Sequence, residues 1–319
     1  MPQIIFTEHT DCRYCRKCIS GCPVKSICVK KNRADIVQSL CVLCGNCVKN
    51  CPAGVIHIRS DVETVKKLIA AGGPVIVSLA PSFASVFYRA KTTQVIAALK
   101  KLGFYAVSET AVGADLVSRD IAGDIADAVK NNTGKKPGQK LFLSSACPAV
   151  LLYVKRYAPA FIPFMNNRAS PLSAHAALLK KLYGENISVV FIGPCAAKKR
   201  EAEQMKELSA ALTFNELCQW LGEENIVPEK LADTGAENFI PCRAAKGALY
   251  PVNNGMFDSI NNYLEKDGIT GVSFLNISGL NRAAEFLKEA TDGSGFSAPV
   301  FVQLLACQGG CVNGAGAPR

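Results

Sequence analysis

Two cysteine runs of identical spacing constrain this chain more than any other feature: Cys12, Cys15, Cys18 and Cys22 before Pro23, and Cys41, Cys44, Cys47 and Cys51 before Pro52. Each spells C-x2-C-x2-C-x3-C-P, so the segment is an internal repeat. Thiolates are soft, strongly donating ligands suited to iron–sulfur chemistry. At this spacing one tight loop holds three corners of a cubane, and the fourth ligand comes from farther away. In chains carrying two such runs the fourth cysteine of each serves the other cluster. Cys12, Cys15, Cys18 and Cys51 are therefore assigned to one [4Fe–4S] cluster, and Cys41, Cys44, Cys47 and Cys22 to a second. Structural zinc, which wants four ligands closed on one ion, is the weaker reading. Cys28 lies outside both runs and is read as a small buried residue.

The remaining composition narrows the class. The chain has 319 residues, 49% of them hydrophobic, which excludes a disordered protein and implies more than one domain. Its 15 cysteines could suggest a disulfide scaffold. The C-x2-C spacing and a start that does not read as a charged-then-apolar leader argue instead for metal-bound thiols in a reducing cytoplasm. The segment PVIVSLAPSFASVF is broken by serines and a proline, so no membrane span is expected. The formal charge is +10, yet the lysines are scattered without an aromatic-interleaved stripe. That argues against nucleic acid and for a solvated basic face or an acidic redox partner.

Residues 8–60 resemble bacterial two-cluster ferredoxins. About 260 residues follow, so residues 1–60 are read as a 2[4Fe–4S] ferredoxin-like domain relaying electrons to a domain over 61–319. After the helical link DVETVKKLIAAGG, apolar segments each end in turn chemistry: PVIVSLAPS, KLFLSSACP, ISVVFIGPC, GVSFLNISGL and APVFVQLLACQGGC. They read as buried strands. Between them TTQVIAALKKLG, SAHAALLKKLYG and NRAAEFLKEATDG read as helices, the last two closing near glycine. Alternation of this kind predicts an α/β fold with largely parallel sheet. Ligands gather at the carboxyl ends of such strands, where Cys147, Cys195, Cys307 and Cys311 stand. Glycines in ACQGGCVNGAGAP are expected to let the backbone approach a bulky cofactor. Cys218, Cys242, His9, His57 and His175 receive no role.

The ordered segments LSSACPAV, IGPCAAKKREAE and LLACQGGCVNGAGAP resemble the three H-cluster motifs of [FeFe]-hydrogenases. KLGFYAVSETAVGADL and VSFLNISGLNRAAEFL resemble other stretches of that family. The resemblance implies a two-lobed α/β iron-only hydrogenase H-cluster domain. In it Cys147, Cys195, Cys307 and Cys311 would hold a third cubane, with Cys311 bridging to a diiron subsite carrying carbon monoxide, cyanide and a dithiolate. It also implies that Lys198 hydrogen-bonds one cyanide, and that the turn Ala80, Pro81 and Ser82 approaches the other. The implied partners are H₂ and protons, hydrogenase maturation proteins, and a separate redox or signalling protein, in an anaerobic cytoplasmic setting.

Departures from the family pattern are as informative. Ala146 stands where hydrogen-evolving members carry a proton-donating cysteine, and alanine has no exchangeable side-chain proton. A positioned acid or base typically contributes about 10²–10⁴-fold, so slow turnover is expected. Gly193 and Leu305 replace two methionines. At the relay positions after GAD stand Ile121 and Asp124, while Glu201 matches a family glutamate. Eight residues follow Cys311, fewer than in standard members, so an element that covers the third motif there is not expected in this stretch. The pattern is that of the sensory groups: a low-turnover [FeFe]-hydrogenase with no catalytic side chain assigned. A bidirectional ferredoxin-linked hydrogenase and a hydrogenase-like iron–sulfur protein without the diiron subsite are the alternatives.

Overall fold

The computed structural model describes residues 3–8, 11–131, 140–233, 235, 238–290, 296 and 298–318. In the ferredoxin-like region β1 (Ile5–Thr7), β2 (Ile27–Lys30), β3 (Arg33–Ile36) and β4 (Ile56–Ile58) form two antiparallel pairs, β1 with β4 and β2 with β3. The internal repeat is visible in the backbone. Tyr14 and Arg16 of the first cysteine loop, and Leu43 and Gly45 of the second, all have φ between 51° and 77°. Short helices follow at Lys17–Ser20 and Asn46–Asn50, carrying Cys18 and Cys47 inward. Two left-handed residues at matching positions bend each loop around the space its thiols face.

The rest of the chain is α/β. Strands β5 (Val75–Leu79), β6 (Ala106–Glu109), β8 (Ser188–Gly193) and β9 (Ala210–Thr213) form an all-parallel sheet in the order β6-β5-β8-β9. A second parallel sheet, β10-β11-β7, joins β7 (Leu141–Leu143), β10 (Ser273–Ser278) and β11 (Val300–Leu305). Every residue of β5 and of β11 is buried, as expected for parallel strands covered on both faces. Helices Thr92–Lys101, Pro171–Tyr183 and Phe214–Glu223 pack on the first sheet. Helix Thr110–Asn131 packs between Pro171–Tyr183 and Gly255–Lys266.

The five expected strands are all present, and β6 and β9 are additional. β10 differs from its reading as a buried strand: it pairs only with β11, and Leu275 faces outward. The helix over NRAAEFLKEATDG, Leu280–Glu289, is followed by Ala290, and its expected closing glycine, Gly293, lies outside the described residues. Cores of the ferredoxin-like region and the β7/β11 lobe are continuous, with Ile4, Val42 and Val55 in one cluster with Leu141, Val150 and Leu304. Polar contacts seal the junction. Arg156 donates to the Cys41 carbonyl at 2.6 Å, Tyr157 to the Leu40 carbonyl at 2.7 Å, and Lys49 to the Asn313 carbonyl at 2.9 Å. Among the described residues no helix is long and apolar enough to cross a membrane.

Candidate metal centre

The carboxyl ends of the two sheets face a common cavity. From the first sheet, β5 runs into Ala80, Pro81 and Ser82, and β8 into Pro194 and Cys195. From the second, β7 leads to Ala146 and Cys147, and β11 to Cys307 and Cys311. All of these residues line the cavity, together with Lys198. Proline after Cys147 opens helix Pro148–Tyr157 at its first position, where the missing N–H costs no bond. Helix Ala197–Gln204 after Cys195 presents Lys198 to the same space. The structure thus brings together four thiols scattered over 165 positions of sequence.

Electrostatics in the cavity work against free thiolates. Burial pushes the Cys195 thiol up to about 11; a charge on Cys147 adds to this, and Lys198 opposes it. Burial raises Cys307 well above its ordinary value, reinforced by Cys311, Cys195, Cys147 and Cys44. Burial also raises Cys311, reinforced by Cys147 and Cys195 and opposed by Lys198. Desolvated thiols whose charges repel one another ionise readily only when a cation comes with them, which is the behaviour of metal ligands. Among the described residues no Asp, Glu or His lines the cavity, so thiols are its characteristic metal donors. Among the described residues no three such side chains close on a single-ion site; the thiols stand apart around the cavity.

The ferredoxin-like thiols fall into two groups. Cys12, Cys15, Cys18 and Cys51 line one smaller cavity. Burial raises Cys47, and the neighbours that raise it further are Cys44, Cys41 and Cys22. Burial likewise takes Cys44 to about 12. Cys44 also lines the large cavity and acts on Cys307, so the second set abuts the main site directly.

Lys198 and Lys199 look alike in sequence and diverge in space. Lys198 donates to Glu201 at 2.6 Å and to Ser170 at 3.4 Å, while Ser170 donates a short hydrogen bond to Glu201. Lys199 is fully buried and donates to Asp61 at 2.9 Å, Glu216 at 3.0 Å and the Ala211 carbonyl at 2.7 Å. Asp61 also binds Arg59, which reaches Glu203 at 2.7 Å. The network ties the linker after β4 to the helix that presents Lys198.

Several expectations land away from the cavity. Asp124 pairs with Arg168, and Ile121 is core. His57 pairs with Glu8 at 3.1 Å, and His175 is held by Ser78 at 2.8 Å and Ser108 at 2.7 Å. His9 lies outside the described residues. Of the glycines in CQGGC, Gly310 has a packing reason of its own. Gly310, at φ 100°, lies against the backbone of Pro251 and Val252, and an added Cβ would stand 2.3 Å from the Pro251 oxygen. Residues the sequence did not single out include Tyr250, Phe191 and Gln303 on the cavity wall. Gln303, the one polar residue in VFVQLL, is buried, and its side-chain oxygen has no partner among the described residues.

With that geometry in hand, residues 73–315 match the family model described as iron only hydrogenase large subunit, C-terminal domain. This chain belongs to the iron-only hydrogenase family. Residues 33–56 match a 4Fe-4S binding domain. Iron hydrogenase 1 of Clostridium pasteurianum is 24% identical over 374 aligned positions, covering 98% of this chain and 64% of that protein, so the chain spans a little under two thirds of that relative. The cytosolic Fe-S cluster assembly factor NAR1 homolog of Schizosaccharomyces japonicus is 28% identical over 127 positions, 35% of this chain and 25% of that one. [FeFe]-hydrogenase HydA1 of Chlamydomonas reinhardtii superposes with a TM-score of 0.63 at 19% identity, covering 82% of this chain and 85% of that one. The fold is therefore that of an iron-only hydrogenase domain preceded by a ferredoxin-like region. Three departures from the family pattern now have surroundings. At Gly193 an added Cβ would stand 2.4 Å from the Phe191 ring and 2.8 Å from Ala80, so Phe191 fills the space a methionine would need. Leu305 and Ala146 both line the cavity.

Proposed function

We propose that this chain is a low-turnover, sensory-type [FeFe]-hydrogenase of the cytoplasm. On this reading Cys12, Cys15, Cys18 and Cys51 hold an outer [4Fe–4S] cluster, and Cys41, Cys44, Cys47 and Cys22 an inner one. Cys147, Cys195, Cys307 and Cys311 hold the cubane of an H-cluster whose diiron part Cys311 bridges. The observation that carries the reading is the company the four thiols keep. Lys198, Ala80, Pro81 and Ser82 line the same cavity, and the buried Ser82 hydroxyl has no partner among the described residues. A cubane alone needs neither a cation nor an orphaned donor; anionic ligands on a diiron group use both.

When bound, such a group supplies reversible conversion of H₂ into two protons and two electrons. The chain's residues set the rate and route. Cys44, shared between the inner set and the main cavity, places the electron exit. The nearly all-apolar wall formed by Ala111, Ala114, Phe191, Leu305 and Met256 excludes water. Lys198, held by Glu201 and Ser170, fixes positive charge toward anionic ligands. Ala146 offers no proton beside Cys147, which keeps proton exchange slow.

The resemblance to an assembly factor supports a second reading, an iron–sulfur protein that never receives the diiron part. The two separate under H₂. Matured, oxidised protein exposed to H₂ should lose its cluster absorbance in the visible as two electrons per H₂ enter the cubanes; unchanged absorbance over hours favours the assembly-type reading.

A further inference from the structure

The two cysteine runs repeat at an interval of 29 positions, Cys12 with Cys41 and Cys22 with Cys51. The backbone keeps that relation where each run ends. Four residues after Cys22 the Ser26 carbonyl accepts from the Val37 N–H at 2.8 Å, and four residues after Cys51 the Val55 carbonyl accepts from the Glu8 N–H, also at 2.8 Å. Glu8 and Val37 are again 29 positions apart. With the main chain matched, the side chains differ. Ser26 is 2% exposed; its hydroxyl lies 3.4 Å from Cys22 Sγ, and its N–H donates to the same sulfur at 3.3 Å. The hydroxyl also acts on Cys41, so it stands between the last cysteine of the first run and the first of the second. Val55 is buried too and lines the outer cavity, but it offers only methyl groups.

A cubane gains one negative charge on reduction, and its potential follows the hydrogen bonds to its sulfurs and its exposure to solvent. Burial works against the added charge. The inner set is the more buried: Cys22, Cys41 and Cys47 are buried and Cys44 faces the main cavity, whereas Cys15 of the outer set is exposed. On burial alone the inner cluster would be the harder of the two to reduce. We infer that the Ser26 hydroxyl offsets this burial, donating to Cys22 Sγ and raising the reduction potential of the inner cluster toward that of the outer one. A metal-bound sulfur has no proton to give, so the hydroxyl is the donor, and the bond strengthens as the sulfur gains charge. One electron then leaves either cluster as the other gains it, with no bond made or broken and no steep uphill step beside the main cavity. Ser26 acts through the thiolates and is a positioning residue. The inference rests on the two [4Fe–4S] assignments and not on the diiron part.

The test uses protein loaded anaerobically with its iron–sulfur clusters and titrated with dithionite, the couples being read by EPR. The couple that disappears in Cys12→Ala/Cys51→Ala belongs to the outer cluster. Ser26→Ala should lower one of the remaining couples, its reduction constant falling about three- to tenfold, a fraction of what a full hydrogen bond to a charged group is worth. For one electron that is about 30–60 mV. Ser26→Thr keeps the hydroxyl and should stay within twofold of wild type. Val55→Ser, which puts a hydroxyl at the matching position of the second run, should raise the outer couple by a similar factor. Tyr157→Phe loses a bond to the Leu40 carbonyl without touching a sulfur and should move no couple. If Ser26→Ala sheds iron, Val55→Ser carries the test. Full iron content with every couple unmoved in Ser26→Ala, an equal drop in Ser26→Thr, or no upward shift in Val55→Ser overturns the inference. Wild-type protein that takes up no cubane on the second set overturns the cluster assignment along with it.

Discussion

Lys199→Met isolates the buried charge network behind the cavity. The wild-type ammonium serves two carboxylates and one carbonyl from a position with no solvent exposure. Methionine keeps much of the shape and removes the cation. Breaking a buried ion pair from one side costs about 3–5 kcal/mol, because the remaining charge is stranded. Here Asp61 keeps Arg59, and Glu216 keeps the backbone N–H groups of Thr213 and Asp61, so about 3 kcal/mol is expected. At roughly 2–3 °C per kcal/mol for a chain of this size, the apparent Tm should fall by about 6–9 °C. Adding Glu216→Gln removes one stranded charge and should recover about half of the loss. The acid limb should move too. Burial pushes the Asp61 carboxyl up, but Arg59 and Lys199 outweigh it and hold the group below its ordinary value. The stability this contributes is present above the unfolded pKa of about 3.9 and is lost as pH falls through the folded value. Without Lys199 that loss should begin at higher pH. Circular-dichroism melts of cluster-loaded protein at one scan rate, with iron assayed alongside, measure both. A change under about 2 °C, with the acid limb unmoved, would refute the view that the network secures the linker to the helix bearing Lys198.

Three further perturbations probe the site and its frame. Ala146→Cys should raise H₂ turnover in matured protein by about 10²–10⁴-fold, the contribution of a positioned proton donor; an unchanged rate means proton delivery at this position does not limit turnover. Cys12→Ala/Cys51→Ala should cost one cubane, about four irons, under the crossed ligand sets, whereas loss of twice that by iron assay and EPR would indicate uncrossed sets. His175, pushed down to about 3 by burial, stays neutral in the fold while the unfolded chain takes a proton below about 6.5. Stability therefore falls as pH drops from about 6.5 toward 3, by about 2 kcal/mol between pH 7 and 5. His175→Gln should remove that slope from thermal melts, and an unaltered slope would assign the acid sensitivity elsewhere.

The parts of the site legible in the sequence were those in which chemistry and local pattern coincide. Cysteines at strand ends beside prolines or glycines announced their position, and the doubled run announced an internal repeat. Strands β6 and β9 were harder to see. Each has four residues, and one ends on Glu109, so neither shows the apolar run that marks β5 or β11. Helix Thr110–Asn131, rich in small and polar residues, is fixed by packing on two other helices rather than by its own periodicity. The run AKKRE illustrates the limit most sharply. Its adjacent lysines read as one charged face, yet one lines the cavity and the other is the anchor of a buried network, because each meets a carboxylate supplied by a different part of the chain. The orphaned oxygen of Gln303 was equally invisible until the cavity existed to receive it.

The central claim is that this cavity holds an H-cluster and not a cubane alone. Infrared spectroscopy of protein matured anaerobically tests it most directly. The account predicts sharp carbon monoxide and cyanide stretches, with the cyanide bands shifted in Lys198→Gln; matured protein that carries its three cubanes yet shows no such stretches would contradict it.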